Sequence, residues 1–142
     1  MVSAVCAWHE QHGAAEAEIT RRLEQRQPLL VAAPALIEAY AVLTRLPPPH
    51  RVSPRDALTL LDANFIVVGR TIALDGREYR ALLRSAPDRA IVGGRVYDAV
   101  IAECALRGKA DVLLTFNTRH FASFARPGLD IVVPQGTRAG LA

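Results

Sequence analysis

Hydrophobic and aromatic positions in the first part of the chain recur at spacings of three and four. Val5, Trp8, His12, Ala15, Ile19 and Leu23 fall on one helical face, which predicts an amphipathic helix over residues 3–25. The unbroken apolar run Leu29-Leu30-Val31-Ala32 then predicts a short strand. Pro34 suits the first turn of a second helix with the stripe Leu36, Ala39, Tyr40, Leu43 and Leu46, and Pro47-Pro48-Pro49 stops it. Ser53 followed by Pro54 and Asp56 marks a helix start, giving a helix over 54–64. Two β-branched stretches follow, 65–68 and 71–74; at least one is expected to be a strand, the second in preference. Asp75 caps a helix running to about Arg84, and after Gly93-Gly94 a further helix spans 95–107, where Gly108 ends it. Val112-Leu113-Leu114-Thr115 reads as a buried strand, 118–124 as a helical turn, and Ile131-Val132-Val133 as a last strand.

Strands that are continuous apolar runs, alternating with helices, describe a parallel sheet covered on both faces, so the class is α/β. The 142 residues, 51% hydrophobic and 22% charged, fit one globular unit, expected over 3–134 with a flexible tail over 135–142. Of the 17 basic residues all but Lys109 are Arg, and the net charge of +3 permits a nucleic-acid partner without implying one. Cys6 and Cys104 have no metal-type spacing and encode no disulfide framework, which with the lack of an apolar run long enough to span a bilayer, or of a signal-like start, leads to the expectation of a cytoplasmic protein without a membrane partner.

In a parallel α/β sheet the ligand crevice lies outside the carboxyl ends of the strands. Glu38 sits just past the first turn of the helix that follows strand 29–32, Asp98 in the first turn of the helix preceding strand 112–115, and Asn117 directly after that strand. Each has a structural explanation by itself: Asp98 complements a helix dipole, Glu38 can face water, and Asn117 suits a turn. Together they are expected on one edge, as an oxygen-rich set that selects Mg²⁺ or Mn²⁺ over zinc and could activate water against a phosphodiester. No histidine pair, Gly-rich phosphate loop or nucleophilic cysteine offers a better site; His120, beside Phe121, is expected to be structural or substrate-contacting.

Three stretches carry a resemblance to a known family: Pro34-Ala35-Leu36-Ile37-Glu38 leading into Tyr40-Ala41-Val42-Leu43-Thr44-Arg45-Leu46-Pro47, then Gly93-Gly94-Arg95-Val96-Tyr97-Asp98-Ala99, then Leu113-Leu114-Thr115-Phe116-Asn117-Thr118-Arg119-His120-Phe121. In these the chain resembles the PIN-domain proteins, specifically the VapC-like ribonuclease toxins of type II toxin–antitoxin pairs. The resemblance implies a Mg²⁺-dependent endoribonuclease, with Mn²⁺ as a substitute, an RNA substrate, a small cognate antitoxin and a homodimer. By position it implies Glu38 and Asp98 as metal-binding acids, Asn117 where many members carry a further Asp, and Thr115 as a hydroxyl near the metal; Arg95 and Arg119 would meet RNA phosphate. The family's first strand, ending in a metal-binding Asp, has no counterpart here, so the central strand is expected to be missing and to lie upstream of Met1. That departure supports an alternative, a degenerate PIN domain that binds antitoxin or RNA without cleaving it; a flavodoxin-like small-ligand domain ranks last.

Overall fold

A computed structural model describes residues 1–136 of the chain. Its elements run α1 (Val2–Val5), α2 (His12–Glu24), β1 (Leu30–Ala32), α3 (Ala33–Arg45), α4 (Pro54–Leu61), a π-helical turn (Asp62–Ile66), β2 (Arg70–Ile72), α5 (Gly76–Ser85), α6 (Arg95–Arg107), β3 (Val112–Leu114), α7 (Thr118–Phe121), a 3₁₀ turn (Ala122–Phe124) and β4 (Asp130–Val132). The α/β class is borne out. Among the described residues the strands form two pairs, β1 with β2 and β3 with β4, rather than one wider sheet. The β3–β4 pair is parallel, in the register Val112 to Asp130, Leu113 to Ile131 and Leu114 to Val132. Most of the tail expected over 135–142 lies outside the described residues.

The fold divides into two compact units. The first holds Met1–Leu29, Leu36–Arg70 and, among the described residues, 134–136; the second holds Leu30–Ala35 and Thr71–Val133.

In the first unit the helix expected over 3–25 is broken. Cys6 leaves α1 in an extended conformation, His9 N–H closes a turn on the Cys6 carbonyl at 2.9 Å, and the Gln11 N–H donates to His9 Nδ1 at 3.1 Å. The imidazole thus takes a backbone donor that a continuous helix would use. His12 Nδ1 then donates to the Ser3 carbonyl at 2.9 Å, tying the start of α2 back to α1. Trp8 therefore sits in a turn and is exposed, while Glu18 is buried on α2. Ser53 caps α4 as expected, its hydroxyl oxygen accepting from Asp56 N–H. Residues 65–68 are not a strand: Val67 N–H reaches back five residues to the Asp62 carbonyl, and only Phe65 of the stretch is buried. The chain continues α4 through a wide turn that points one aromatic inward instead of alternating faces.

In the second unit Asp75 and Glu78 form a capping box at the start of α5. The core gathers Ile72, Leu74, Leu82, Ile91, Ala99, Val100, Leu113, Phe121, Phe124 and Leu129, with Cys104 fully enclosed. Gly108 ends α6 for a reason other than backbone freedom. Its φ is −73°, ordinary for any residue, whereas Lys109 takes the positive φ of 57°. A Cβ at Gly108 would lie 2.9 Å from Leu30 Cδ1 and 3.2 Å from Ile72 Cγ1, so glycine lets the helix end approach those side chains.

Candidate functional site

The second unit brings Asp98, Thr115, Asn117 and His120 into one region. Asp98 lies in the first turn of α6, three residues into a helix that packs on α7. His120 on α7 points its Nδ1 at Asp98 Oδ2, 3.1 Å away, and donates to the carboxylate. Asp98 is the more enclosed partner and His120 about half exposed. At the carboxyl end of β3 the Thr115 hydroxyl oxygen accepts from Asn117 N–H at 3.0 Å, which bends the chain out of the strand. The Asn117 carbonyl in turn accepts from the His120 N–H at 3.1 Å. One turn of backbone therefore links β3 to the imidazole that orients Asp98.

The two arginines have different surroundings. Arg95 donates to Ser123 Oγ at 2.6 Å and lies 5.9 Å from the centroid of the Phe124 ring, which Arg89 also approaches at 5.8 Å. Arg95 thereby helps fix the turn after α7. Arg119 is exposed, and its side chain makes no hydrogen bond or ion pair among the described residues.

Glu38 belongs to the first unit, on α3, and is exposed. Its charge acts on the Met1 amino group. Burial lowers the pKa of that amine, and the Glu38 carboxylate opposes the shift without reversing it.

Asp98, the Thr115 hydroxyl and the Asn117 amide are hard oxygen donors of the kind a divalent cation takes. Yet no group of three or more His, Cys, Asp or Glu among the described residues is placed to hold a metal ion. Asp98 is the only acid of its set and already carries a hydrogen bond from His120. The donors are thus of the right chemistry for a divalent cation, with one carboxylate supplied by this unit's set. His120, expected from sequence to be structural or substrate-contacting, is set against Asp98. Its signal was its position three residues beyond Asn117 in a helical turn, close enough to fold back beside the strand end.

Among the described residues no helix is long and apolar enough to cross a membrane. The chain matches the PIN domain over residues 1–127. It is 33% identical over 131 residues to Ribonuclease VapC40 of Mycobacterium tuberculosis, strain CDC 1551 / Oshkosh, an alignment covering 92% of this chain and 91% of the relative. The protein of the same name from strain ATCC 25618 / H37Rv matches equally. Ribonuclease VapC27 of the latter strain is 37% identical over 99 residues, 70% of this chain and 69% of its own length. Together with the α/β fold, these matches establish that the chain belongs to the PIN-domain family.

Proposed function

We propose that this chain is an endoribonuclease of the VapC type, hydrolysing RNA phosphodiester bonds and restrained by a small cognate antitoxin. The observation that carries the reading is the near end-to-end similarity to a protein named as a ribonuclease, 33% identity over about nine-tenths of both chains. Asp98 and Glu38 are the acids assigned to the reaction, with Asn117 and Thr115 assigned alongside them and linked to Asp98 through His120. His120 holds the Asp98 carboxylate in one rotamer. Arg119 offers an exposed guanidinium to backbone phosphate, as a fork suited to that group. Activity is expected to depend on Mg²⁺, with Mn²⁺ able to replace it. A cytoplasmic homodimer is the expected setting.

A second reading is a PIN domain that binds RNA or antitoxin without cleaving. Asn117, a neutral amide where many members of the family carry a further Asp, favours it. The test is cleavage of total RNA and of transfer RNA by the purified full chain as Mg²⁺ and then Mn²⁺ are titrated. Metal-dependent fragments that vanish on chelation support the nuclease. RNA binding with no cleavage at any metal concentration supports the binding module.

A further inference from the structure

The first unit carries an aromatic arrangement that the acids do not use. Trp8, the only tryptophan, stacks on His50 with ring centroids 4.2 Å apart and planes at 30°. His9 lies at 5.9 Å, tilted by 40°. Tryptophan is among the most buried residue types on average, yet Trp8 keeps 48% of its surface exposed. Both sides of the stack are held by backbone. Trp8 rides the turn closed by His9 N–H on the Cys6 carbonyl, and the His50 N–H donates to the Pro47 carbonyl at 3.0 Å. The next residue, Arg51, anchors the same loop through Nε to the Leu46 carbonyl at 2.9 Å. Its charge sits one residue from the imidazole. Glu10 is the only acid within the turn over residues 6–11, so the arrangement offers ring faces more than a phosphate cradle.

We propose that Trp8 and His50 form a platform on which an unpaired nucleobase of single-stranded RNA stacks. Every base has a π face, and proteins that hold unpaired strands use exposed aromatic rings beside a cation in this way. A clasp serving only to tie two loops together would gain by burying the indole. Here half of it is left to solvent, in a chain of net charge +3. The proposal rests on the reading of RNA as the substrate and adds a place where the strand is gripped.

Because Trp8 is the sole tryptophan, its fluorescence reports the platform directly. The full chain is titrated, in the presence of EDTA so that metal-dependent cleavage is stopped, with a mixed-sequence single-stranded RNA octanucleotide and with the same octanucleotide annealed to its complement. Saturable quenching by the single strand and little by the duplex is the expected result. Anisotropy of a labelled octanucleotide should show affinity about ten-fold weaker for Trp8→Ala and for His50→Ala, and near wild type for Trp8→Phe. Thermal unfolding identifies any variant that fails to fold, in which case Trp8→Phe and the wild-type quench still decide. Equal quenching by duplex, no quenching while the chain cleaves RNA, or quenching only by the antitoxin overturns the platform. Quenching by the single strand without cleavage of any RNA keeps the platform and removes the nuclease reading.

Discussion

A carboxylate held in one rotamer by an imidazole is worth more to a site than a free one, because its oxygens need not be ordered when substrate arrives. Asp98 and His120 stand in that relation. We expect Asp98→Asn and Glu38→Gln each to lower RNA cleavage by more than about 100-fold, beyond the range usual for residues that merely support a site. Asn117→Ala should lose less, since a neutral amide binds charge more weakly than a carboxylate. Single-turnover cleavage of a defined RNA, with circular dichroism to confirm folding, measures all three; full activity in both acid variants would refute the assignment. The arginines should separate in the same way that their contacts do. Arg119→Ala is expected to weaken RNA binding and flatten its salt dependence by about one unit of slope. Arg95→Ala should instead lower stability by about 1 kcal/mol, through loss of its contacts with Ser123 and Phe124. Filter binding across salt concentrations and urea melts distinguish the two.

At the level of elements, α2 shows how an ion cluster replaces part of an apolar stripe. Glu18 is buried and receives both Arg21 Nη2 and Arg22 Nε at 2.7 Å on Oε1. The Arg21 hydrogen bonds lower the Glu18 pKa, burial opposes them, and Arg22 adds to the lowering. A depressed carboxyl pKa stabilises the fold above the unfolded value, about 4.3, and that stability is lost as pH falls through the folded value. Glu18→Gln should therefore cost roughly 1–3 kcal/mol at pH 7 and progressively less as the pH is lowered through the acid range. Urea midpoints between pH 7 and pH 3 read this directly; an unchanged gap at pH 3 would refute it. The cluster also explains what the sequence made legible. Helices with explicit boundary chemistry, such as Ser53 before α4 or the Asp75–Glu78 box before α5, were readable because capping is local. The break after Cys6 was not, because it depends on the bonds of His9 to Gln11 and of His12 to Ser3, which periodicity cannot register. Residues 65–68 failed for a related reason: β-branched composition scores the same whether the chain extends or widens its helix by one residue per turn. At the site, Asp98 and Asn117 were legible from strand-end logic, while His120 required the fold to turn α7 back onto α6.

Across the molecule, two compact units share one chain of 142 residues. The proposed antitoxin is expected to present an arginine or an apolar helix to the acids, so excess Mg²⁺ should relieve inhibition and Asp98→Asn should weaken the complex. Calorimetry of the pair with and without Mg²⁺ tests this, and insensitivity to both places the contact elsewhere. The buried cysteines bear on a different question. Cys6 lies in the first unit and Cys104 in the second, and burial raises both thiol pKa values. A thiol that is protonated and enclosed reacts with an alkylating reagent only after its surroundings open. The two sulfurs are thus natural clocks, one per unit. Peptide-resolved mass spectrometry after timed exposure to iodoacetamide should give two opening rates. If the units unfold as one, the rates coincide and fall together on adding antitoxin; if either opens alone, its cysteine is modified first, and the order in which the chain comes apart can be read from two masses.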